Sequence, residues 1–141
     1  MMQKDFIGNN SLDNIKQIIS DIGAKKILLV TGKDSYKKSG SEEKLAQYLD
    51  NVIIKRFFDF EVNPNIKDVQ IGIDIISSFK PDLVIAIGGG SVIDIAKLIN
   101  IFAVHVTKEK EIFEFVNKSS SVTRPGLPLI AIPTTSGTGS E

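Results

Sequence analysis

Four short apolar runs alternate along this chain with segments of helical periodicity, and that alternation limits the fold more than any other feature. The runs are Ile27-Leu28-Leu29-Val30, Val52-Ile53-Ile54, Leu83-Val84-Ile85-Ala86-Ile87 and Leu129-Ile130-Ala131-Ile132. None of them alternates with polar residues, so they read as strands buried on both faces. Between them, apolar residues recur every three or four positions. Leu12, Ile15, Ile18, Ile19 and Ile22 form one stripe, with Ser11 as its expected cap and Gly23 as its stop. Ile66, Val69, Ile73, Ile76 and Phe79 form another, with Asn65 as its cap. Ser41 is expected to open a short helix whose first turn carries Glu42 and Glu43, acids well placed against the helix dipole. A further helix, from Ser91 to about Val104, is apolar around most of its circumference and is expected deep in the core. Strands and helices in this order predict an α/β fold, a largely parallel sheet wrapped by helices.

A chain of 141 residues with 42% hydrophobic and 24% charged residues can bury a substantial core, and it reads as one domain over residues 1–141. Lysine and arginine total 17 and the acids total 17, so no net charge draws the chain to nucleic acid or to a membrane surface. The absence of cysteine removes disulfides, thiolate metal sites and a thiol nucleophile together. The first ten residues lack the apolar stretch of a signal peptide, and no run approaches the roughly 20 apolar residues of a membrane span, so a cytoplasmic location is the default expectation. The stretch from Thr107 to Leu127 is the least regular, and its Lys108-Glu109-Lys110-Glu111 cluster reads as a solvated turn or helix end. At the carboxyl end, a strand runs into Pro133-Thr134-Thr135-Ser136-Gly137-Thr138-Gly139-Ser140-Glu141 with nothing to return the loop to the core, which leads us to expect a fragment of a longer enzyme.

Chemistry concentrates in Gly88-Gly89-Gly90-Ser91-Val92-Ile93-Asp94-Ile95-Ala96-Lys97, which directly follows a buried strand and opens a helix. Such turns lie at the carboxyl ends of strands, where open α/β sheets bind ligands. Glycines let the backbone approach a phosphate without Cβ atoms in the way, and the free N–H groups and dipole of the new helix favour an anion. Ser91 is placed to cap the helix or to donate its hydroxyl to a phosphate oxygen. The competing reading is a tight turn that only packs helix on sheet, which rarely needs three successive glycines. Neither G-x-G-x-x-G nor G-x-x-x-x-G-K-[ST] fits these residues, so the ordinary Rossmann and P-loop fingerprints do not apply.

Gly88-Gly89-Gly90-Ser91, Asp94 and Ala96-Lys97, followed by Pro133-Thr134-Thr135, Gly137-Thr138-Gly139 and Ser140-Glu141, resemble the iron-containing (group III) alcohol dehydrogenases. Val30-Thr31-Gly32-Lys33 and Asn63-Pro64 carry the same resemblance, which runs in order along essentially the whole chain. It implies a Rossmann-like domain of the dehydroquinate synthase-like type, and a second, helical metal-binding domain that is missing here. It implies further that Gly89, Gly90 and Ser91 hold the pyrophosphate of NAD or NADP, with Gly88 counted in the same cofactor-binding loop, and that Asn63 reaches the adenosine side. Thr134, Thr135 and Thr138 are implied to line the nicotinamide end. Asp94 is counted with this loop in a shaping role, because its charge repels an anionic cofactor; in the first turn it can pair with Lys97. Lys97 reads as a helix-surface residue.

Gly32 bears on the choice of cofactor. NAD enzymes often place an acid at this strand end to bind the ribose hydroxyl. The resemblance puts Gly32, followed by Lys33, at that position, and a gap beside a cation suits the 2′-phosphate of NADP, although Asp34 stands nearby. The resemblance also implies Fe2+ or Zn2+ in the full-length enzyme, held by an aspartate and histidines of the missing domain, together with an alcohol or aldehyde substrate and assembly into a homo-oligomer. No catalytic or metal-binding residue is assigned here: the only histidine, His105, reads as a helix-end or packing residue. Two other readings stay open, a dehydroquinate synthase-like lyase that uses NAD transiently and a non-catalytic nucleotide-binding module.

Overall fold

The computed structural model describes residues 11–61, 63, 65–104 and 126–134. A 3-10 turn, Ser11–Asp13, leads into α1 (Asn14–Ile22), followed by β1 (Lys26–Thr31), α2 (Ser35–Lys38) and α3 (Ser41–Ala46). Then come β2 (Ile53–Phe57), α4 (Ile66–Phe79), β3 (Leu83–Gly88), α5 (Gly90–Phe102) and β4 (Leu129–Pro133). The strands lie in the order β2-β1-β3-β4, and every pairing among the described residues is parallel.

The two central strands explain the layering. Successive side chains of a strand point to opposite faces, so an unbroken apolar run needs cover on both. Leu28, Val30, Val84 and Ala86 meet Val69, Ile73 and Ile76 of α4 and Ile93, Ala96 and Ile99 of α5. Ile27, Leu29, Leu83, Ile85 and Ile87 face Ile15 of α1, Tyr36 of α2 and Leu45 of α3. Each fully buried aliphatic side chain contributes about 1.5–3 kcal/mol, several times a helix-propensity difference, so the sheet dictates where the helices go.

The outer strands depart from the expectation of burial on both faces. Ile53 is 60% exposed and Ile54 40%, and of β2 only Phe57 is buried. The reason is position: among the described residues β2 is an edge strand that pairs with β1 alone. β4, at the other edge, is half-buried along most of its length.

Several helix boundaries fall where local chemistry places them. Gly23 ends α1 in the left-handed region at φ 71°, its N–H bonding to the carbonyls of Ile19 and Ser20. Asn65 caps α4 by a reciprocal pair: its side chain accepts from the Asp68 N–H at 2.9 Å, and the Asp68 carboxylate accepts from the Asn65 N–H at 3.1 Å. Ser41 opens α3 with Glu42 and Glu43 in its first turn, as expected. Ser11, expected as the cap of α1, instead begins the 3-10 turn; the helix proper starts at Asn14, with Asp13 in the cap position but making no side-chain capping bond. The four-residue α2 was not foreseen, because one turn is too short to show a period. His105 and residues 107–125 of the irregular stretch lie outside the described residues.

The edge of the sheet formed by the strand starts is pinned by Asp82. Its carboxylate accepts from the N–H groups of Lys25 and Lys26 at 2.8 and 3.0 Å, and its own N–H bonds to the Lys26 carbonyl at 2.8 Å. These backbone bonds hold the carboxyl below its ordinary value, so the pin is in place at neutral pH and weakens as acid protonates it.

Gly72 marks where α4 crosses α5. A Cβ there would stand 2.5 Å from Cγ2 of Ile99, which is fully buried. Alanine gains about 1 kcal/mol of helix propensity over glycine, whereas overpacking a rigid core costs about 1–3 kcal/mol. We expect Gly72→Ala to lower stability on balance, read as a lower urea midpoint at unchanged slope. A raised midpoint would mean that Ile99 has room to repack.

Candidate functional site

Chain order reverses between β1 and β3: β2 lies outside the first and β4 outside the second. At such a switch point the crossovers leave in opposite directions, opening a crevice at the carboxyl ends of the strands. Thr31 pairs with Ile87 and Gly88 with Pro133, so the three strand ends stand nearly level. Gly32, the Gly88-Gly89-Gly90 turn and Thr134 therefore meet at one edge of the sheet.

The three glycines are not equivalent. Gly88 has φ 156°, a region that L side chains rarely adopt, and a Cβ there would come within 2.6 Å of Cγ2 of Val92. Gly89 has φ −82° and ψ −170°, open to any residue, so its backbone conformation does not require glycine. Gly90 is the first residue of α5. The Gly89 carbonyl takes the first helical bond, from the Ile93 N–H at 3.2 Å, and no side chain caps the helix. Among the described residues, the leading N–H groups of α5 are thus left without a side-chain cap.

Two expectations about this helix need correction. Ser91 does not cap it, because α5 begins one residue earlier, at Gly90, with Gly89 in the cap position. The same shift takes Asp94 out of the first turn, where it lies exposed. The N–H of Thr134 bonds to the Gly88 carbonyl at 3.0 Å, tying the segment after β4 to the glycine turn. Thr135 and Thr138 lie outside the described residues, as does Pro64. Asn63 is exposed on the loop that leaves the carboxyl end of β2, at the same sheet edge.

Around Gly32, the structure adds a residue the sequence reading missed. Arg56 on β2 donates from Nε to Thr31 Oγ1 at 2.7 Å and from Nη2 to the carbonyls of Gly32 and Lys33 at 2.9 and 3.0 Å. Its guanidinium carbon lies 4.4 Å from the Phe58 ring centroid and 4.8 Å from that of Tyr36. Thr31 passes the bond on, its hydroxyl donating to the Gly32 carbonyl at 2.9 Å. The only hint in the sequence is an arginine beside Phe57 and Phe58. A Cβ on Gly32 would meet the Ser35 hydroxyl, which a rotation of that side chain relieves.

Asn100, also missed, sits buried on α5. Its amide exchanges two bonds of 2.8 Å with the N–H and carbonyl of Leu127, fixing the entry to β4 and so the height at which Thr134 emerges. A polar residue on the apolar, buried face of the helix is its signature, since a buried amide needs partners. On the α1–α3 side, a cavity of about 140 Å3 is lined by Leu12, Ser41, Lys44, Leu45, Ile87 and Ile132. A pocket for a drug-sized ligand is at least about 300 Å3, so this cavity does not suit a dinucleotide. Among the described residues no three His, Cys, Asp or Glu side chains cluster so as to hold a metal ion, and no helix is long and apolar enough to cross a membrane.

A parallel sheet with helices on both faces, a glycine turn feeding an uncapped helix at the switch point, and a threonine strand end bonded to that turn define a Rossmann-like α/β domain. The chain belongs to the iron-containing alcohol dehydrogenase family, whose model matches residues 3–141. It is 36% identical over 140 residues to NADH-dependent butanol dehydrogenase A of Clostridium acetobutylicum, covering 98% of this chain and 35% of that protein. It is 34% identical over 140 residues to the NADPH-dependent butanol dehydrogenase of Clostridium saccharobutylicum, covering 96% and 34%. Among solved structures, the sulfoacetaldehyde reductase of Bifidobacterium kashiwanohense in complex with NAD+ superposes with a TM-score of 0.82 at 29% identity, covering 100% of this chain and 38% of that one. The chain thus spans about a third of the length of these relatives.

The Gly88 turn can be tested without any ligand. Gly88→Ala is expected to destabilise the chain by about 1–3 kcal/mol, from backbone strain and the collision with Val92. Val92→Ala removes the colliding methyls, so in a double-mutant cycle the two changes should couple favourably by about 1 kcal/mol. Strict additivity in denaturant unfolding would mean that Val92 does not press on this turn.

Proposed function

We propose that this chain is the dinucleotide-binding part of an NAD(P)-dependent alcohol dehydrogenase, interconverting an alcohol with an aldehyde or ketone. The observation that carries the reading is the uncapped amino end of α5, opening from a glycine turn in the β1/β3 crevice. Three features there suit a pyrophosphate: free N–H groups, a helix dipole directed at the anion, and a Gly89 whose missing side chain the backbone does not demand. Gly88 shapes the turn; Gly89, Gly90 and Ser91 hold the phosphates, with Ser91 contributing its hydroxyl. Asn63 serves the adenosine side, Thr134, Thr135 and Thr138 serve the nicotinamide end, and Asp94 supports the loop from the second turn of α5.

When bound, the nicotinamide supplies or accepts the hydride; the residues of this chain hold and orient it. The described residues do not present a ligand set for Fe2+ or Zn2+, and none is assigned a part in metal chemistry. On this reading the metal and most of the substrate pocket belong to other residues of a full-length enzyme assembled from like subunits.

For cofactor choice we propose NADP over NAD. Similarity to proteins named for each coenzyme is nearly equal, so the decision rests with the turn after β1. There Gly32 offers no carboxylate to the ribose and is followed by the exposed Lys33, although Asp34 is exposed nearby.

Two measurements test these statements in the full-length gene product. Gly89→Val places methyls where the pyrophosphate would lie and is expected to weaken cofactor binding roughly tenfold or more, with the circular dichroism spectrum unchanged. Unchanged affinity would remove the phosphate-cradle reading. Gly32→Asp is expected to penalise NADPH over NADH by about 1–3 kcal/mol, a ten- to hundredfold change in the ratio of kcat/KM. A wild type strongly selective for NADH would count against the NADP preference.

A further inference from the structure

Arg56 is an unusual arginine for the edge of a sheet. All three of its acceptors are uncharged oxygens, one hydroxyl and two carbonyls, and among the described residues it forms no ion pair. Tyr36, whose ring it approaches, does not supply an anion: burial and then the charge of Glu42 raise that phenol above its ordinary value, outweighing the opposite pull of Arg56. A guanidinium carries five N–H donors, and three are spent through Nε and Nη2. The two on Nη1 make no bond among the described residues, and the side chain as a whole is only half-buried.

Position gives this spare edge its meaning. Nη2 of Arg56 is bonded to the carbonyl of Gly32, the residue at the carboxyl end of β1 that carries no side chain of its own and packs against the Ser35 hydroxyl. Its bonds to Thr31, Gly32 and Lys33 and its contacts with Phe58 and Tyr36 hold the cation before any ligand arrives. A pre-held planar guanidinium with two N–H groups to spare matches the oxygens of a phosphate better than a mobile lysine does.

We propose that Arg56 is the specificity-determining cation for the 2′-phosphate of the cofactor, offering its Nη1 edge beside Gly32. The proposal rests on the NADP reading above and adds the residue that enforces it. Lys33, exposed on the same turn, is then an accessory charge that tunes affinity without setting the preference.

The test uses two fragments of the cofactor, adenosine 2′,5′-bisphosphate and adenosine 5′-monophosphate, titrated by calorimetry into the full-length gene product. Wild type is expected to prefer the bisphosphate. In Arg56→Gln the preference should fall roughly tenfold or more while affinity for the monophosphate stays within about threefold. Arg56→Lys, which keeps the charge but loses the fork, should fall between the two. A preference that survives Arg56→Gln overturns the assignment and leaves the NADP reading standing, whereas no preference in wild type overturns both. Equal loss of both fragments would show that Arg56 only braces the loop, and that too overturns the assignment. Should Arg56→Gln fail to fold, the unsubstituted protein still decides. The Nε–H resonance of Arg56 should shift with the bisphosphate and stay put with the monophosphate, and an unmoved resonance with both rejects the proposal.

Discussion

Burial of β1 and β3 on both faces is the constraint from which the rest of the structure follows. Strands with no polar face need helices above and below them, and parallel neighbours need crossovers long enough to carry those helices. The chain meets both demands by laying α1, α2 and α3 on one face and α4 and α5 on the other. Sending the β1–β2 crossover to one face and the two that follow to the other makes the strand order reverse, and the reversal opens the crevice. A site at this edge of the sheet is therefore a consequence of how the core is covered.

At that edge the backbone carries most of the chemistry. Gly88 turns the chain through a conformation other residues avoid, Gly89 follows in an ordinary extended conformation, and α5 starts without a side-chain cap. Side chains enter mainly as braces for backbone. Arg56 ties down the turn after β1, Asn100 fixes the entry to β4, and Asp82 sets the β1–β3 register from the far edge. Each of these bonds two separate segments, so the level meeting of the strand ends is held from three sides.

Much of this was legible in the chain. The apolar runs located all four strands of the described residues, Gly23 and Asn65 marked helix ends, and the triple glycine pointed to the crevice before any topology was known. The misreadings share a cause. Val52-Ile53-Ile54 has the composition of a buried strand, but composition does not say how many neighbours a strand has. Ser11 and Ser91 are good capping residues by type, yet each helix starts a few residues from where its serine would place it. Arg56 and Asn100 went unseen because their partners lie 23 to 27 residues away in sequence, beyond any local pattern.

By itself the sequence determined the class of fold, the identity of its central strands and the place of the glycine turn. These rest on periodicity, on β-branched runs and on glycine's missing Cβ, all properties of residues and near neighbours. Tertiary structure alone decided which strands are edges, that α5 begins at Gly90 with no cap, and that an arginine on β2 reaches across to Gly32. The physical reason is that hydrogen bonds and burial at the sheet edge depend on register between distant strands. That register is set by the packing of the whole core on both faces.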